Sequence, residues 1–66
     1  MQISVNNLPV TVPPACTVQQ LLTLQNISGN MIAVASAQEI IPRHEWPYRV
    51  LTQGEKITII GATKGG

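Results

Sequence analysis

The sequence predicts an α+β fold, a mixed sheet of four to five strands with one helix packed across it. Three observations lead there. Apolar and polar residues alternate through the first dozen positions and again over 56–60, the period of a half-buried strand. One stretch, 17–22, spaces its apolar residues at helical intervals, and turn-forming residues separate the segments.

Ile3 and Val5 alternate with Gln2 and Ser4, then Leu8, Val10 and Val12 alternate with Pro9 and Thr11, and Asn6-Asn7 stand between. Asparagine tolerates the positive φ that a two-residue hairpin turn requires. The resulting register sets Val5 opposite Leu8, Ile3 opposite Val10 and Met1 opposite Val12, which turns every large apolar residue of both strands to one side. That side needs a cover. Pro13-Pro14 and a capping box of Thr17 with Gln20 mark the start of a helix that carries Val18, Leu21 and Leu22 on one face. At about two turns it is too short to persist alone in water and depends on docking against the sheet.

Asn26, Ser28, Gly29 and Asn30 form the exit loop, and residues 31–37 return as a strand with Ile32 and Val34 on one face. Ile40-Ile41 is a short further strand stopped by Pro42. Residues 43–49 mix charge with both aromatics, Trp46 and Tyr48, and read as an irregular connection or a single helical turn. Val50 and Leu51 turn inward and Gln53-Gly54-Glu55 makes a turn. The last strand, 56–60, directs Ile57 and Ile59 one way and Thr58 and Ile60 the other.

Sixty-six residues form one small domain, a body at 1–61 with a flexible tail at 62–66, burying only about 60% of the surface its unfolded chain exposes. With phenylalanine absent and 44% of residues apolar, the core is expected to be aliphatic. Arg43, Arg49, Lys56 and Lys64 are dispersed and the net charge is +1, which excludes the basic stripe that nucleic-acid binding needs. Cys16 and His44 are the single residues of their kinds, so neither an internal disulfide nor a protein-only metal site is expected. The opening Met1-Gln2-Ile3-Ser4 has no charged leader or long apolar run, which points to a cytoplasmic setting with no membrane span.

The chain closes on Gly65-Gly66. Without a Cβ on either residue, such a segment extends, rotates freely and enters a channel too narrow for other residues, which suits a carboxylate presented as a substrate. A frayed chain end has the same composition, and the context decides between them: the dipeptide follows the last strand by a short stretch, Gly61-Ala62-Thr63-Lys64, with no apolar pattern to anchor it.

Taken together, Met1-Gln2-Ile3, Thr17-Val18-x-x-Leu21-Leu22, Ile40-Ile41-Pro42-Arg43-x-x-Trp46, Leu51-x-x-Gly54-Glu55 and Gly65-Gly66 resemble, across essentially the whole chain, the ThiS-type sulfur carriers of thiamine biosynthesis. The resemblance implies a β-grasp, ubiquitin-like fold and a protein that is no enzyme but a co-substrate. Gly66, reached through Gly65, would be adenylated with ATP by an E1-like partner (ThiF/MoeB type) and converted to a thiocarboxylate by a persulfide sulfur donor. The thiocarboxylate would then supply the sulfur of the thiazole ring to thiazole synthase (ThiG type). ATP is consumed by the partner, and the carrier binds no cofactor. The small subunit of molybdopterin synthase uses the same tail chemistry, and a ubiquitin-like modifier would use the tail to form isopeptide bonds. A plain β-grasp binding module with incidental glycines is the remaining alternative. The chain departs from the commoner family pattern at Ala37, where Asn is frequent, at Glu55, where Asp is usual, and at Ile60, where an aromatic is common.

Among the remaining residues, Cys16 beside a helix start reads first as a packing residue, although a helix N-terminus can lower a thiol pKa. His44 and Glu45 have no serine, cysteine or second carboxylate placed to complete a catalytic set, and read as solvated surface. Trp46 and Tyr48 suit packing over a sheet edge, or a docking surface. The candidates for docking a partner are Ile60, an apolar residue on the exposed face near the tail, its face-mate Thr58, Lys64 beside the glycines, and Arg43, which suits either a partner's acidic face or nearby carbonyls.

Overall fold

The computed structural model describes residues 1–27 and 31–61. Ser28, Gly29 and Asn30 of the exit loop, and the tail 62–66 with Lys64, Gly65 and Gly66, lie outside the described residues.

Asn6 and Asn7 both adopt positive φ (52° and 70°), the primed turn that matches strand twist, and join β1 (Gln2–Val5) to β2 (Leu8–Thr11). The register is the expected one, with Ile3 opposite Val10 and Val5 opposite Leu8. Met1 and Val12 exchange two hydrogen bonds of 2.8 Å and extend the ladder past both strands. Ile3, Val5 and Val12 are buried, but Leu8 is 67% exposed. Pro9 sits at a non-hydrogen-bonded pair with Ser4, so its ring occupies the outer rim of β2 and blunts an edge that could otherwise pair with another chain.

α1 (Val18–Leu24) starts with the expected capping box: the Gln20 N–H donates to Thr17 Oγ1 at 3.2 Å, and the Thr17 N–H donates to Gln20 Oε1 at 2.9 Å. Its other free N–H groups are satisfied by the later chain, Val18 N–H by the Arg49 carbonyl (3.0 Å) and Gln19 N–H by the Trp46 carbonyl (3.0 Å). The helix ends in a Schellman turn, with Asn26 at φ 58° and bonds from Asn26 N–H to Thr23 O and Ile27 N–H to Leu22 O. Val18, Leu21 and Leu22 are fully buried, which is the docking a seven-residue helix requires.

β3 (Ile32–Ser36) and β4 (Glu39–Ile41) form a second hairpin turning at Ala37. A single turn of 3-10 helix, Arg43–Glu45, follows Pro42, and β5 (Lys56–Gly61) runs up the middle of the sheet. The strand order β2-β1-β5-β3-β4 sets β5 parallel to β1 and antiparallel to β3, with one helix across the inner face: the β-grasp arrangement. All five expected strands are present.

The core departs from the aliphatic expectation in one respect. Trp46 is 3% exposed within the buried cluster, and its Nε1–H donates to the Ile41 carbonyl at 3.0 Å, so the indole packs against edge strand β4 with its one polar atom satisfied. Val50 does not turn inward. It is 47% exposed while Leu51 is buried, because the antiparallel bridge of Val50 to Thr17 places consecutive side chains on opposite sides.

Candidate functional site

β5 positions every candidate docking residue that lies within the described chain except Arg43. Ile57 is buried and Ile59 packs on the core, so the pleat turns Thr58 and Ile60 to the face away from the helix. Cross-strand register assembles their neighbours: Thr58 pairs with Ala35, Ala35 with Ile40, and Ile60 with Ala33. The outcome is a shallow apolar surface in which Ile40 (62% exposed) and Ile60 (56%) flank two alanines. Ile40 was not among the sequence candidates. Its exposure depends on which face of a three-residue edge strand is covered, and only the pairing with Ala35 decides that. Beside this surface an open groove of mixed character is lined by Ser4, Asn7, Ala37, Glu39 and Lys56, along with Thr58.

Arg43 lies in the helical turn after β4, its guanidinium 4.5 Å from the centre of the Trp46 ring. That stacking lets a cation lie over an indole whose opposite surroundings are core. Tyr48 is 81% exposed. His44 and Glu45 form a loose pair at 3.8 Å with side chains 82% and 52% exposed.

Cys16 is 1% exposed, its thiol directed to the Thr17 carbonyl at 3.4 Å, and burial pushes the thiol pKa up. The helix start beside it does not reverse this, because the N–H groups that would stabilise a thiolate are bonded to Arg49, Trp46 and Thr17. Cys16 is a packing residue held as the neutral thiol. Among the described residues no cluster of three or more His, Cys, Asp or Glu could hold a metal ion. No helix among them is long and apolar enough to cross a membrane.

Two arrangements escaped the sequence reading. Glu55, 10% exposed at its side chain, accepts from Arg49 Nη2 at 2.6 Å, from the Ser36 hydroxyl, and from the Thr52 N–H at 2.9 Å. Burial alone would raise its pKa, but these hydrogen bonds and the Arg49 charge outweigh it and hold the carboxyl below the usual glutamate range. At the other end of β5, Asn6 bonds through its side chain to both backbone groups of Ile59. The loop spacing of Glu55 and Thr52 hinted at the first. Nothing local hinted at the second, which joins residues 53 apart.

No family model matches the sequence, and no curated protein matches it either. Solved structures do. A crystal structure of a thiamine biosynthesis protein (ThiS) from Geobacter metallireducens superposes with a TM-score of 0.79 at 23% identity, covering 100% of both chains. The chain has the fold of that ThiS protein. An NMR solution structure of a thiamine biosynthesis protein from the same organism gives 0.77 at 23% identity, covering 100% of this chain and 88% of the other. The likeness to ThiS extends over the whole β-grasp body, from the first hairpin to β5.

Proposed function

We propose that this protein is a sulfur carrier whose Gly66 carboxylate is adenylated and then converted to a thiocarboxylate for thiazole formation in thiamine biosynthesis. The observation that carries the reading is the full-length fold likeness to ThiS in a chain whose last residues are Gly65-Gly66. The chemistry makes the arrangement sensible. A carboxylate is a poor electrophile at neutral pH; the acyl-adenylate supplies a leaving group, and persulfide sulfur displaces AMP. Adenylation, sulfur transfer and ATP binding belong to the partner, so the carrier acts as co-substrate in the cytoplasm without a catalytic side chain. Its partners in this reading are a ThiF/MoeB-type adenylating enzyme, a persulfide donor and a ThiG-type thiazole synthase.

Docking follows from reach. Five residues separate Gly61 from the carboxylate of Gly66, and an extended chain spans at most about 3.6 Å per residue, roughly 18 Å in all. A partner acting on Gly66 therefore covers the body near the end of β5, and the apolar surface of Ile60, Ala33, Ala35 and Ile40 lies there, with Thr58 within it. Lys64 sits on the tether itself, and Arg43 contributes from the turn after β4.

The test is intact-mass spectrometry of the untagged protein after incubation with ATP, a ThiF-type enzyme and a persulfide donor. A shift of one oxygen replaced by sulfur, confined to the C-terminal peptide and dependent on ATP, is the expected result, and deletion of Gly66 or Gly66→Ala blocks it. Normal loading of either variant sinks the proposal. Ile60→Asp is expected to reduce loading while leaving the fold intact.

A further inference from the structure

β1 pairs with β5 only at Ser4↔Lys56 and Val5↔Ile57, because the chain then turns away at Asn6 and Asn7. β5 continues to Gly61, so on that side its backbone would be bare from Ile59 onward. Asn6 fills the gap. Its backbone N–H donates to the Ile57 carbonyl at 2.9 Å, its Oδ1 accepts from the Ile59 N–H at 2.8 Å, and its Nδ2 donates to the Ile59 carbonyl at 3.3 Å. A side-chain amide thus substitutes for the next peptide of β1 and prolongs the parallel ladder by one step.

The opposite side of β5 is closed by contact. A Cβ at Gly61 would stand 2.5 Å from the Met31 carbonyl oxygen and 2.8 Å from Ile32 Cα, so only glycine lets the end of β5 lie this close to β3. Ile59 to Gly61 is therefore held by an amide on one edge and by backbone on the other. These are the last described residues, and the segment 62–66 continues covalently from them.

We infer that Asn6 is a positioning residue for delivery of the carboxyl-terminal glycine, acting through Ile59. The inference rests on the sulfur-carrier reading. Asn6 touches no reacting atom. It fixes the point from which the tether starts and keeps Ile60 in register on the docking surface. Without the Asn6 bonds, Ile59 to Gly61 keep only their pairing with Val34, Ala33 and Ile32 of β3, so the start of the segment that carries Gly66, and Ile60 with it, is less firmly set.

The experiment compares Asn6→Gly, which keeps the positive φ of the turn but removes both side-chain bonds, with Asn6→Asp, which keeps the acceptor and loses the donor, and with Asn7→Gly as a control in the same turn. Amide hydrogen exchange at Ile59 reports the clamp, and KM and kcat for pyrophosphate release from ATP by a ThiF-type enzyme report delivery. In Asn6→Gly the Ile59 amide is expected to exchange up to about fivefold faster, the size of one lost exposed hydrogen bond. KM for the carrier rises, with kcat unchanged. Asn6→Asp falls between, and Asn7→Gly stays at wild type. Faster exchange at Ile59 with a wild-type KM overturns the inference, and so does an equal rise in KM for Asn7→Gly, which would assign the effect to the turn. If Asn6→Gly does not fold, a wild-type KM for Asn6→Asp overturns it. A wild-type chain that is not adenylated overturns the sulfur-carrier reading itself, and this inference with it.

Discussion

Just before β5 begins, Glu55 gathers Arg49, Ser36 and Thr52 around a nearly buried carboxylate; where β5 ends, a neutral asparagine amide grips Ile59 and a glycine lies against β3. Both ends tie one central strand to its surroundings, but one is held by charge and the other by shape and neutral hydrogen bonds. The charged end locks the loop leading into the strand and is sensitive to pH. The neutral end, held by Asn6 and Gly61, carries no titrating group. Acid therefore loosens the end where the strand begins and leaves the other untouched.

The comparison breaks most completely in the middle of the strand. Ile57 is 1% exposed, and Ile57→Ala is expected to cost roughly 2–5 kcal/mol, enough to unfold so small a domain at both ends together. A single urea transition seen alike by probes near Glu55 and near Ile59 would confirm one cooperative unit. Next in size, Glu55→Ala strands Arg49 and Ser36 and is expected to lower stability by about 1–3 kcal/mol. Asn6→Gly removes neutral, exposed bonds and is expected to cost about 1 kcal/mol or less, so a reversed ranking in urea denaturation would refute the division between the ends.

Titration sharpens the same contrast. Because Glu55 is held below its ordinary pKa when folded, its contribution is fully present above the ordinary glutamate range and is lost as pH falls through the lowered value. Wild type should therefore lose stability in acid more steeply than Glu55→Gln, the two curves converging at low pH, whereas Asn6→Gly should run parallel to wild type throughout. Smaller still is a gain. Ala37 opens the β3–β4 turn at φ 58°, a conformation that favours glycine, so Ala37→Gly is expected to raise stability by up to about 1 kcal/mol in thermal unfolding.

Much of this was legible locally. The Asn6-Asn7 turn, the Thr17/Gln20 capping box and the alternation of Ile57 and Ile59 with Thr58 and Ile60 are short-range patterns in which backbone preference and burial agree, and the structure follows them. Leu8 and Val50 were misjudged because alternation tells which residues share a face but not whether anything covers it. Trp46 entered the core against an aliphatic expectation because its polar atom found the Ile41 carbonyl, a partner on another element. Of the outer apolar face, Ile60 and Thr58 could be read from one strand, while Ile40 needed the register of three.

By itself, then, the amino-acid sequence determined the first hairpin, the capped helix, the faces of β5 and the diglycine that the functional reading depends on, since each is set by residues within a few positions of one another. Tertiary structure alone decided that β5 runs between β1 and β3, that Glu55 meets Arg49 and Ser36, and that Asn6 completes the ladder at Ile59. The physical reason is range. Dihedral preference and periodicity act along the chain, whereas hydrogen-bond satisfaction and close packing are settled only when distant segments compete for the same space.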